Sequence, residues 1–209
     1  MRRENVSMAV IRRMPKYYRY LNELQQAGIQ KISSRALAEQ MGLTASQIRQ
    51  DFNCFGGFGQ QGYGYNVETL REKVATIIGI DRKHSAVILG VGNIGRALIR
   101  NFNFEQCGFR LLAAFDSSDS IAGDVINHIP VLALDELDTF FKNNRVDVAI
   151  LTIPGSCAEE MAERLVSLGV KGLWNFTNVE LQLKNPEITV EDVHFSDSMM
   201  TLCYQISDE

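Results

Sequence analysis

The spacing of apolar residues along the chain changes at about residue 80. Before this point apolar side chains recur every three or four residues, which is the period of amphipathic helices. After it, short apolar runs alternate with amphipathic stretches, which is typical of a parallel sheet with helices on both faces. The pattern predicts an N-terminal domain over residues 1–79, an α/β domain over 80–195 and a separate C-terminal helix over 196–209.

The first two predicted helices are marked by residues that favour helix starts. Pro15 suits the first turn of a helix that runs to about Ala27, because the fixed φ angle of proline is compatible with that position. Ser33 and Ser34 are candidate N-caps of a second helix over 35–41, since their hydroxyls can accept a hydrogen bond from a free backbone N–H.

A third helix is predicted over 45–54. Thr44 and Gln47 have the spacing of a capping box, in which each side chain bonds the backbone N–H of the other residue. The short connection to the second helix predicts a helix-turn-helix. Its core would consist of apolar residues from both helices and the turn: Leu37, Ala38, Met41, Leu43, Ile48 and Phe52.

Glycines and aromatic residues alternate over 55–65, which favours a tight β-ribbon, the wing of a winged helix. Asn66 is a candidate cap for a fourth helix over 67–78, and 79–84 is the predicted linker. The first domain is therefore predicted to be a winged helix-turn-helix.

The second domain is predicted to be α/β, with a Rossmann-type parallel sheet. Strands are expected at 85–90, 110–115, 129–132, 147–153 and 171–175, and helices at 93–102, 135–143 and 156–168. A further strand at 188–191 and an amphipathic helix at 196–206 complete the chain.

Composition narrows the class of protein. The 209 residues are 45% hydrophobic and 22% charged, as in ordinary globular proteins. No apolar run reaches about 18 residues and the N-terminus has no signal-peptide core, so we expect no membrane span and a location in the cytoplasm. The four cysteines are scattered and only three histidines occur. We therefore expect no metal site, and thiols that are reduced and buried.

The net charge of −4 conceals an uneven distribution. Residues 1–65 carry nine Lys/Arg and four Asp/Glu, whereas residues 66–209 carry twelve and twenty-one. A basic first domain on an acidic second one indicates that only the first contacts a polyanion. A basic helical bundle used for protein contact remains the alternative.

A glycine motif follows the first strand of the second domain: Gly90, Val91, Gly92, Asn93, Ile94 and Gly95. Gly90 permits a tight turn, Gly92 lets a pyrophosphate approach the backbone, and Gly95 allows close packing of helix on strand. The free N–H groups of the helix N-terminus favour a phosphate. This context predicts a dinucleotide site.

Asp116 ends the next strand, where a carboxylate would accept hydrogen bonds from the adenosine ribose and repel a 2′-phosphate. NAD+ and NADH are therefore the predicted cofactors, with coenzyme A on a similar fold as a competitor. Strand ends border the ligand crevice of such sheets. The candidates for the nicotinamide side are accordingly Thr152, Ile153, Pro154, Asn175 and Phe176.

An enzyme is not the favoured interpretation. About ninety residues follow Asp116, and the fold itself uses most of them. A dehydrogenase needs substrate-binding mass and a proton donor, and no catalytic pattern joins His84, His128 and His194. A small NAD-dependent oxidoreductase and a CoA-binding subunit of a ligase remain as alternatives.

The first domain offers residues suited to double-stranded DNA. Arg49 suits guanine, and Gln47 or Gln50 suits adenine or the backbone. Lys16, with Arg12 and Arg13, would add sequence-independent attraction. Other candidates for DNA contact lie at the starts of two helices and in the wing: Ser33, Ser34, Arg35, Thr44, Ser46, Gly59, Gln60 and Gln61.

Over nearly its whole length the chain resembles the Rex family of redox-sensing transcriptional repressors. The stretches that carry the resemblance are ISSRALAEQMGLTASQIRQDF, FGGFGQQGYGYNV, ILGVGNIGRAL, AAFD, ILTIP and KGLWNF. The resemblance implies a homodimer with winged-helix heads, Rossmann bodies and a C-terminal helix swapped onto the partner. It also implies binding to palindromic operators when NADH is scarce, and release when NADH binds.

The same resemblance implies a switch that links head, pocket and C-terminal helix. Arg19 matches its arginine, whereas Phe102 stands where a tyrosine is expected and His194 where an aspartate is expected. Phe102, which is also a candidate for lining the cofactor pocket, has no hydroxyl to donate. In the wing, Gln60 and Gln61 replace an expected Lys-Arg pair, which should flatten the salt dependence of DNA binding.

Overall fold

The computed structural model describes residues 6–58 and 64–207 of the chain. It divides the chain into two compact units, with the boundary between Arg82 and Lys83. Within the described residues, no helix is long and apolar enough to cross a membrane.

The first unit contains a helix-turn-helix. Its elements are α1 (Met8–Gln26), β1 (Lys31–Ile32), α2 (Ser34–Met41), α3 (Ala45–Asn53), β2 (Tyr65–Asn66) and α4 (Val67–Ile78). The short strands β1 and β2 pair antiparallel, with Ile32 opposite Tyr65. This pairing was not predicted, because two residues are too few to form a recognisable alternation.

The predicted start of the first helix at Pro15 is wrong. α1 begins at Met8, with Ser7 accepting a hydrogen bond from the backbone N–H of Val10, and Pro15 lies inside it. Val10 and Met14 are buried on the same face as later core residues of α1. Burial of this face outweighs the local preference of proline for a first turn.

The predicted N-caps of the next two helices are confirmed in part. The Ser33 hydroxyl accepts from the N–H of Ala36, and the Thr44 hydroxyl accepts from the N–H of Gln47. The reciprocal half of the capping box is wrong, because the Gln47 side chain donates instead to Asp51. The predicted helix-turn-helix core is otherwise correct, although Leu43 is only half-buried.

The fourth helix agrees with its prediction, since Asn66 caps α4 by accepting from the N–H of Thr69. His84 was assigned to the linker, but it is the first residue of the next strand, where it pairs with Phe109. The start of this strand is set by its pairing with the strand that contains Phe109, and this pairing cannot be recognised from the sequence of the linker.

The second unit is a Rossmann-type α/β domain. Its strands are β3 (His84–Leu89), β4 (Phe109–Asp116), β5 (Val125–Ile126), β6 (Ile129–Ala133), β7 (Val148–Leu151), β8 (Gly172–Asn175) and β9 (Thr189–Asp192). Its helices are α5 (Asn93–Asn101), α6 (Leu137–Asn143), α7 (Ala158–Ser167) and α8 (Phe195–Ile206).

In the described part of this unit the strand order is β5-β6-β4-β3-β7-β8-β9. All neighbouring strands are parallel except β5 and β6, which form an antiparallel hairpin that was not predicted. The chain leaves β3 toward β4 on one side and later returns to β7 on the other. The carboxyl end of β3 is therefore a topological switch point, where such sheets bind ligands.

The cysteines do not lie where they were predicted. Cys54, Cys107, Cys157 and Cys203 are reduced but exposed, so the expectation of buried thiols is wrong. Their positions near helix ends and on an outward helix face account for this, because neither place is covered by the core of its unit.

Candidate functional sites

The glycine motif forms a tight loop between β3 and α5. Gly90 has a φ angle of +91°, and a Cβ atom at this position would lie 2.6 Å from the carbonyl oxygen of Thr152. A Cβ at Gly95 would collide with the carbonyl oxygen of Gly90. These two glycines therefore allow the helix to pack directly on the strand and loop.

Gly92 differs from the other two glycines of the motif. It caps the N-terminus of α5, and a Cβ there would meet no described heavy atom within 4 Å. Asn93 and Ile94, in the first turn, are exposed. Because the first N–H groups of a helix have no intrahelical partner, this open end can accept a phosphate.

Asp116 lies beside this loop at the end of β4. Its Oδ2 accepts from the N–H of Val91 at 2.6 Å, and its Oδ1 accepts from the N–H of Ser118 at 2.9 Å. A carboxylate has about four acceptor positions, so Asp116 retains capacity for a ribose hydroxyl.

Arg96 is a candidate cofactor residue that the sequence analysis missed. Its Nε donates to the carbonyl oxygen of Val91 at 3.0 Å, which holds the half-buried guanidinium against the glycine loop. A guanidinium in this place can bind a diphosphate through its remaining N–H groups. Its position directly after the last glycine of the motif was the available signal.

Thr152, the residue directly after β7, supports the same loop. Its hydroxyl lies 2.7 Å from the carbonyl oxygen of Gly90 and 3.0 Å from that of Leu89, and the single O–H is shared between them. Pro154 is exposed at the following turn. Ile153 is half-buried in the core cluster on the face of the sheet that holds Leu89 and Leu151.

The side chain of Asn175 is fully used within the protein. Its amide nitrogen donates to the carbonyl oxygen of Val179 and to Asp192, both at 2.7 Å. Its oxygen accepts from the N–H and the hydroxyl of Thr177. Asn175 therefore holds together the end of β8, the following turn and β9.

An apolar groove of about 430 Å³ runs along α5. It is lined by Asn93, Ile94, Ala97, Leu98, Asn101, Phe102, Phe176 and Phe195. Phe102 and Phe176 were both predicted for the cofactor pocket, and the Trp174 ring lies next to each of them. Ile153, predicted to line the same pocket, is not among the lining residues.

The three candidate switch residues lie in separate places. Arg19 is an exposed residue of α1 in the first unit. Phe102 ends α5, and its ring packs against those of Phe104 and Trp174. His194 is half-buried and precedes α8 without a capping hydrogen bond from its side chain. Their joint role stays a prediction.

The helix-turn-helix presents a polar face on α3. Ser46, Arg49 and Gln50 are exposed, whereas Gln47 is half-buried. Arg49 donates from Nη1 to the hydroxyl of Ser34 at 3.2 Å, which brings together the recognition-helix candidate and the start of α2. The candidates Gly59, Gln60 and Gln61 lie outside the described residues.

The basic residues near this face differ in how free their side chains are to contact DNA. Lys16 donates to the carbonyl oxygen of Met41 at 2.8 Å, and Arg35 forms an exposed ion pair with Glu39. Arg13 was expected to add general attraction for DNA, and this stays a prediction. Both of its hydrogen-bonding nitrogens bind Asp51 at 2.7 Å, so its charge is neutralised locally.

Asp51 is the centre of a buried network that sequence reasoning missed. It is fully buried on α3 and accepts from Arg13, from Tyr17 at 2.8 Å and from Gln47 at 2.9 Å. Burial works to raise the pKa of Asp51, but the hydrogen bonds from Arg13, Gln47 and Tyr17 outweigh it and lower the pKa. The carboxylate is therefore ionised at neutral pH.

The described residues contain no group of three or more His, Cys, Asp or Glu side chains that could hold a metal ion. The candidate sites thus consist of a nucleotide crevice in the second unit and a polar helix face in the first.

Two family models match the chain. Residues 5–53 match a family described as "Putative DNA-binding protein N-terminus", and residues 81–179 match one described as "CoA binding domain". The first covers the helix-turn-helix and the second covers the glycine loop, Asp116 and the ends of β7 and β8.

Several curated relatives match from end to end. "Redox-sensing transcriptional repressor Rex" of Clostridioides difficile (strain 630) is 47% identical over 205 residues, which are 98% of this chain and 97% of the relative. The protein of the same name from Caldicellulosiruptor saccharolyticus is 46% identical over 208 residues, 100% of this chain and 94% of the relative.

The similar solved structures point to the same family as these curated relatives. A crystal structure of RSP in complex with β-NAD+ and operator DNA matches this chain with a TM-score of 0.92 at 45% identity. The match covers 99% of this chain and 94% of the RSP chain. RSP in complex with β-NADH matches with a TM-score of 0.89 at 42% identity, over 97% of this chain and 95% of the RSP chain. RSP is itself described as a Rex-family repressor.

Proposed function

Because this chain belongs to the Rex family of redox-sensing transcriptional repressors, we propose that it represses transcription by binding a palindromic operator as a homodimer. Binding of NADH to the second unit releases it from the DNA. The cytoplasm, where bacterial operators lie, is its proposed location.

One observation carries this proposal: a helix-turn-helix and a glycine-loop nucleotide crevice occur in one chain that matches Rex repressors from end to end. A relative with the same fold has been crystallised with NAD+ and operator DNA, and also with NADH. We transfer all three ligands, NAD+, NADH and operator DNA, to this chain on that basis.

The proposed DNA contacts divide into two kinds. Arg49, Gln47 and Gln50, with Ser46, would contact base edges in the major groove. Ser33, Ser34, Arg35, Thr44 and Lys16, together with the wing residues Gly59, Gln60 and Gln61, would contact phosphates and fix the position of the head on the duplex.

The lining of the apolar groove supports discrimination between the two cofactors. Oxidised nicotinamide carries a positive charge and reduced nicotinamide is neutral. No Asp, Glu, Lys or Arg is among the eight lining residues, so a cation placed there loses hydration without a compensating charge. We therefore place the nicotinamide ring in this groove and expect NADH to bind more tightly than NAD+.

Exposure of α8 supports the proposed homodimer. Its exposed apolar residues are Phe195, Met199, Met200, Leu202, Tyr204 and Ile206. An apolar surface of this kind is characteristic of a protein interface. We infer that a second copy of the chain covers it, in the way that the resemblance to the Rex family implies for the C-terminal helix.

The proposed mechanism couples the two sites through the dimer. Two recognition helices must lie about one DNA turn apart, or a multiple of it, to contact both half-sites. NADH in the groove favours an arrangement of the dimer in which this spacing is lost. By linkage, operator DNA must weaken NADH binding by the same factor.

The two alternative functions lose support. Relatives aligned over nearly the full length of this chain are repressors, which does not favour an oxidoreductase. The match to a CoA-binding family covers only residues 81–179, and a Rossmann-like domain is common to proteins of many functions. Asp116 favours a free ribose hydroxyl, whereas coenzyme A carries a phosphate on its adenosine ribose.

The decisive experiment measures DNA binding at a fixed salt concentration, with and without each nucleotide. A palindromic operator is first selected from a random duplex library. Release by NADH, but not by the same concentration of NAD+, supports the proposal despite Phe102 and His194. Equal NADH affinity for the free and DNA-bound protein would contradict it.

A further inference from the structure

The carboxylate of Asp51 has all its acceptor positions occupied. Oδ1 accepts from Nη2 of Arg13 at 2.7 Å and from Nε2 of Gln47 at 2.9 Å. Oδ2 accepts from Nε of Arg13 at 2.7 Å and from the hydroxyl of Tyr17 at 2.8 Å. Since an ionised carboxylate can accept about four hydrogen bonds, the network is complete.

This network determines which way the amide of Gln47 faces. A carboxylate only accepts hydrogen bonds, so Gln47 must turn its NH2 group toward Asp51. The opposite orientation would place the amide oxygen against a buried negative charge. Asp51 itself is held from α1 by Arg13 and Tyr17, so the orientation of Gln47 is fixed by a second helix.

Gln47 therefore presents a defined pair of groups on its outer side: the amide oxygen, which accepts, and the second N–H, which donates. It lies in the first turn of α3 and is half-buried, and its amide is held by Asp51 at 2.9 Å. The N-terminal residues of a recognition helix are the ones that contact base edges.

Adenine has the complementary pair in the major groove. Its N6–H donates and its N7 accepts, and glutamine can bind both at once. Gln50 is exposed and its side chain has no hydrogen-bond partner among the described residues, so it has no fixed orientation before DNA binds. Preorganisation favours Gln47, because ordering a free side chain lowers affinity.

We propose that Gln47 selects an adenine in each operator half-site and that Asp51 is the residue that positions it for this contact. The proposal rests on the proposed DNA-binding function and adds to it a specific base and a specific orienting residue. Asp51 does not touch DNA in this arrangement.

The test uses the full-length protein and the operator selected by it from the random duplex library. Each conserved adenine is replaced in turn by 7-deazaadenine, which lacks the N7 acceptor and still pairs with thymine. We expect about tenfold weaker binding at one adenine per half-site, as for loss of part of a bidentate contact. Gln47→Met should bind the modified and unmodified duplexes equally.

A matched control is Gln40→Met, the same substitution at an exposed position of α2 outside the proposed contact set. It should retain the full discrimination. Discrimination that persists in Gln47→Met would overturn the assignment, as would a wild type insensitive to 7-deazaadenine at every position. If the wild type selects no sequence at all, the proposed function fails first, and this failure is distinct.

Two further variants test the positioning role of Asp51. Asp51→Asn can face Gln47 with either end of its amide, so discrimination should fall by several fold. Equal discrimination in a folded Asp51→Asn protein would contradict the role.

The variant Gln47→Glu provides a second test, which can be read even if Asp51→Asn does not fold. Its carboxylate must turn away from Asp51 and can only accept, so a new selection should favour cytosine, which offers its N4–H, in place of adenine. Selection of adenine by Gln47→Glu would also count against the proposal.

Discussion

The carboxylate of Asp116 and the backbone N–H of Val91 are joined by a hydrogen bond of 2.6 Å. The acid that ends β4 thus holds the glycine loop that follows β3. In the proposed complex the same carboxylate binds the ribose, so one side chain connects the shape of the loop to the recognition of the sugar.

Substitution of Asp116 by asparagine should weaken NADH binding by about tenfold or more, because a charged hydrogen bond is lost. The preference for NADH over NADPH should fall as well, since the repulsion of a 2′-phosphate disappears. Calorimetric titration with both nucleotides measures the two effects. Asp119→Asn, an exposed acid three residues further on, is the control and should leave both affinities unchanged.

The glycines at 92 and 95 should respond differently to alanine. Gly95→Ala places a methyl group against the Gly90 carbonyl and the Thr152 hydroxyl, so we expect ~1–3 kcal/mol of lost stability. Gly92→Ala has open space and a φ angle of −71°, so stability should change by less than about 0.5 kcal/mol.

NADH binding should nevertheless be lost in Gly92→Ala, because the methyl group occupies the approach of the pyrophosphate. Thermal unfolding and NADH titration of both variants separate the two effects. Full NADH affinity in Gly92→Ala would place the diphosphate elsewhere.

The positions of these glycines and of Asp116 were predictable because a strand, a glycine turn, a helix and an acid at the next strand end form a recognisable motif, whereas their roles in cofactor binding stay predictions. Asp116 lies 25 positions from the N–H of Val91 that it binds, so its place follows from the order of the elements and not from neighbours in the chain. The order of the other strands and helices in the second unit was predictable for the same reason, but the short strand β5 was missed and several element ends were misplaced.

Features that depend on distant partners were not predictable. Asp51 accepts a hydrogen bond from Arg13, which lies 38 residues away in the sequence, and Asp147 accepts one from Ser85, which lies 62 residues away. An isolated acidic residue carries no sign of such a partner. The predicted start of α1 was wrong for a similar reason. Pro15 is a strong local signal for a helix start, whereas the buried face of α1 that outweighs it exists only after the helices pack.

Replacement of Arg49 by alanine should cost ~1–3 kcal/mol of operator binding if it contacts a base. NADH affinity should be unaffected, since Arg49 lies in the first unit and the nucleotide crevice in the second. Lys142→Ala, an exposed cation of α6, serves as the control for general loss of charge. Loss of both activities in Arg49→Ala would indicate misfolding instead.

Asp147 should make the stability of the second unit sensitive to acid. Its carboxylate accepts from the hydroxyl and N–H of Ser85 and from Lys171 at 3.0 Å. Burial works to raise the pKa of Asp147, but the hydrogen bonds from Lys171 and Ser85 outweigh it and hold the pKa well below its usual range.

Because the pKa of Asp147 is lower in the folded than in the unfolded state, its stabilisation is present above about pH 4 and is lost as the pH falls further. Asp147→Asn should lower the free energy of unfolding by ~1–3 kcal/mol at pH 7. Denaturant unfolding across the acid range should show this difference shrinking below about pH 4. Asp124→Asn, at an exposed position, should show no such difference.

Phe195, at the start of the exposed helix α8, also lines the apolar groove and lies 6.2 Å from the Phe176 ring. In the proposed dimer, the protomer concentration therefore acts on the cofactor site as well as on assembly. Dilution that separates two copies removes the cover of α8 and loosens one wall of the groove. If the proposed dimer forms, we therefore expect the response to NADH to depend on the cellular concentration of this repressor as well as on the redox state.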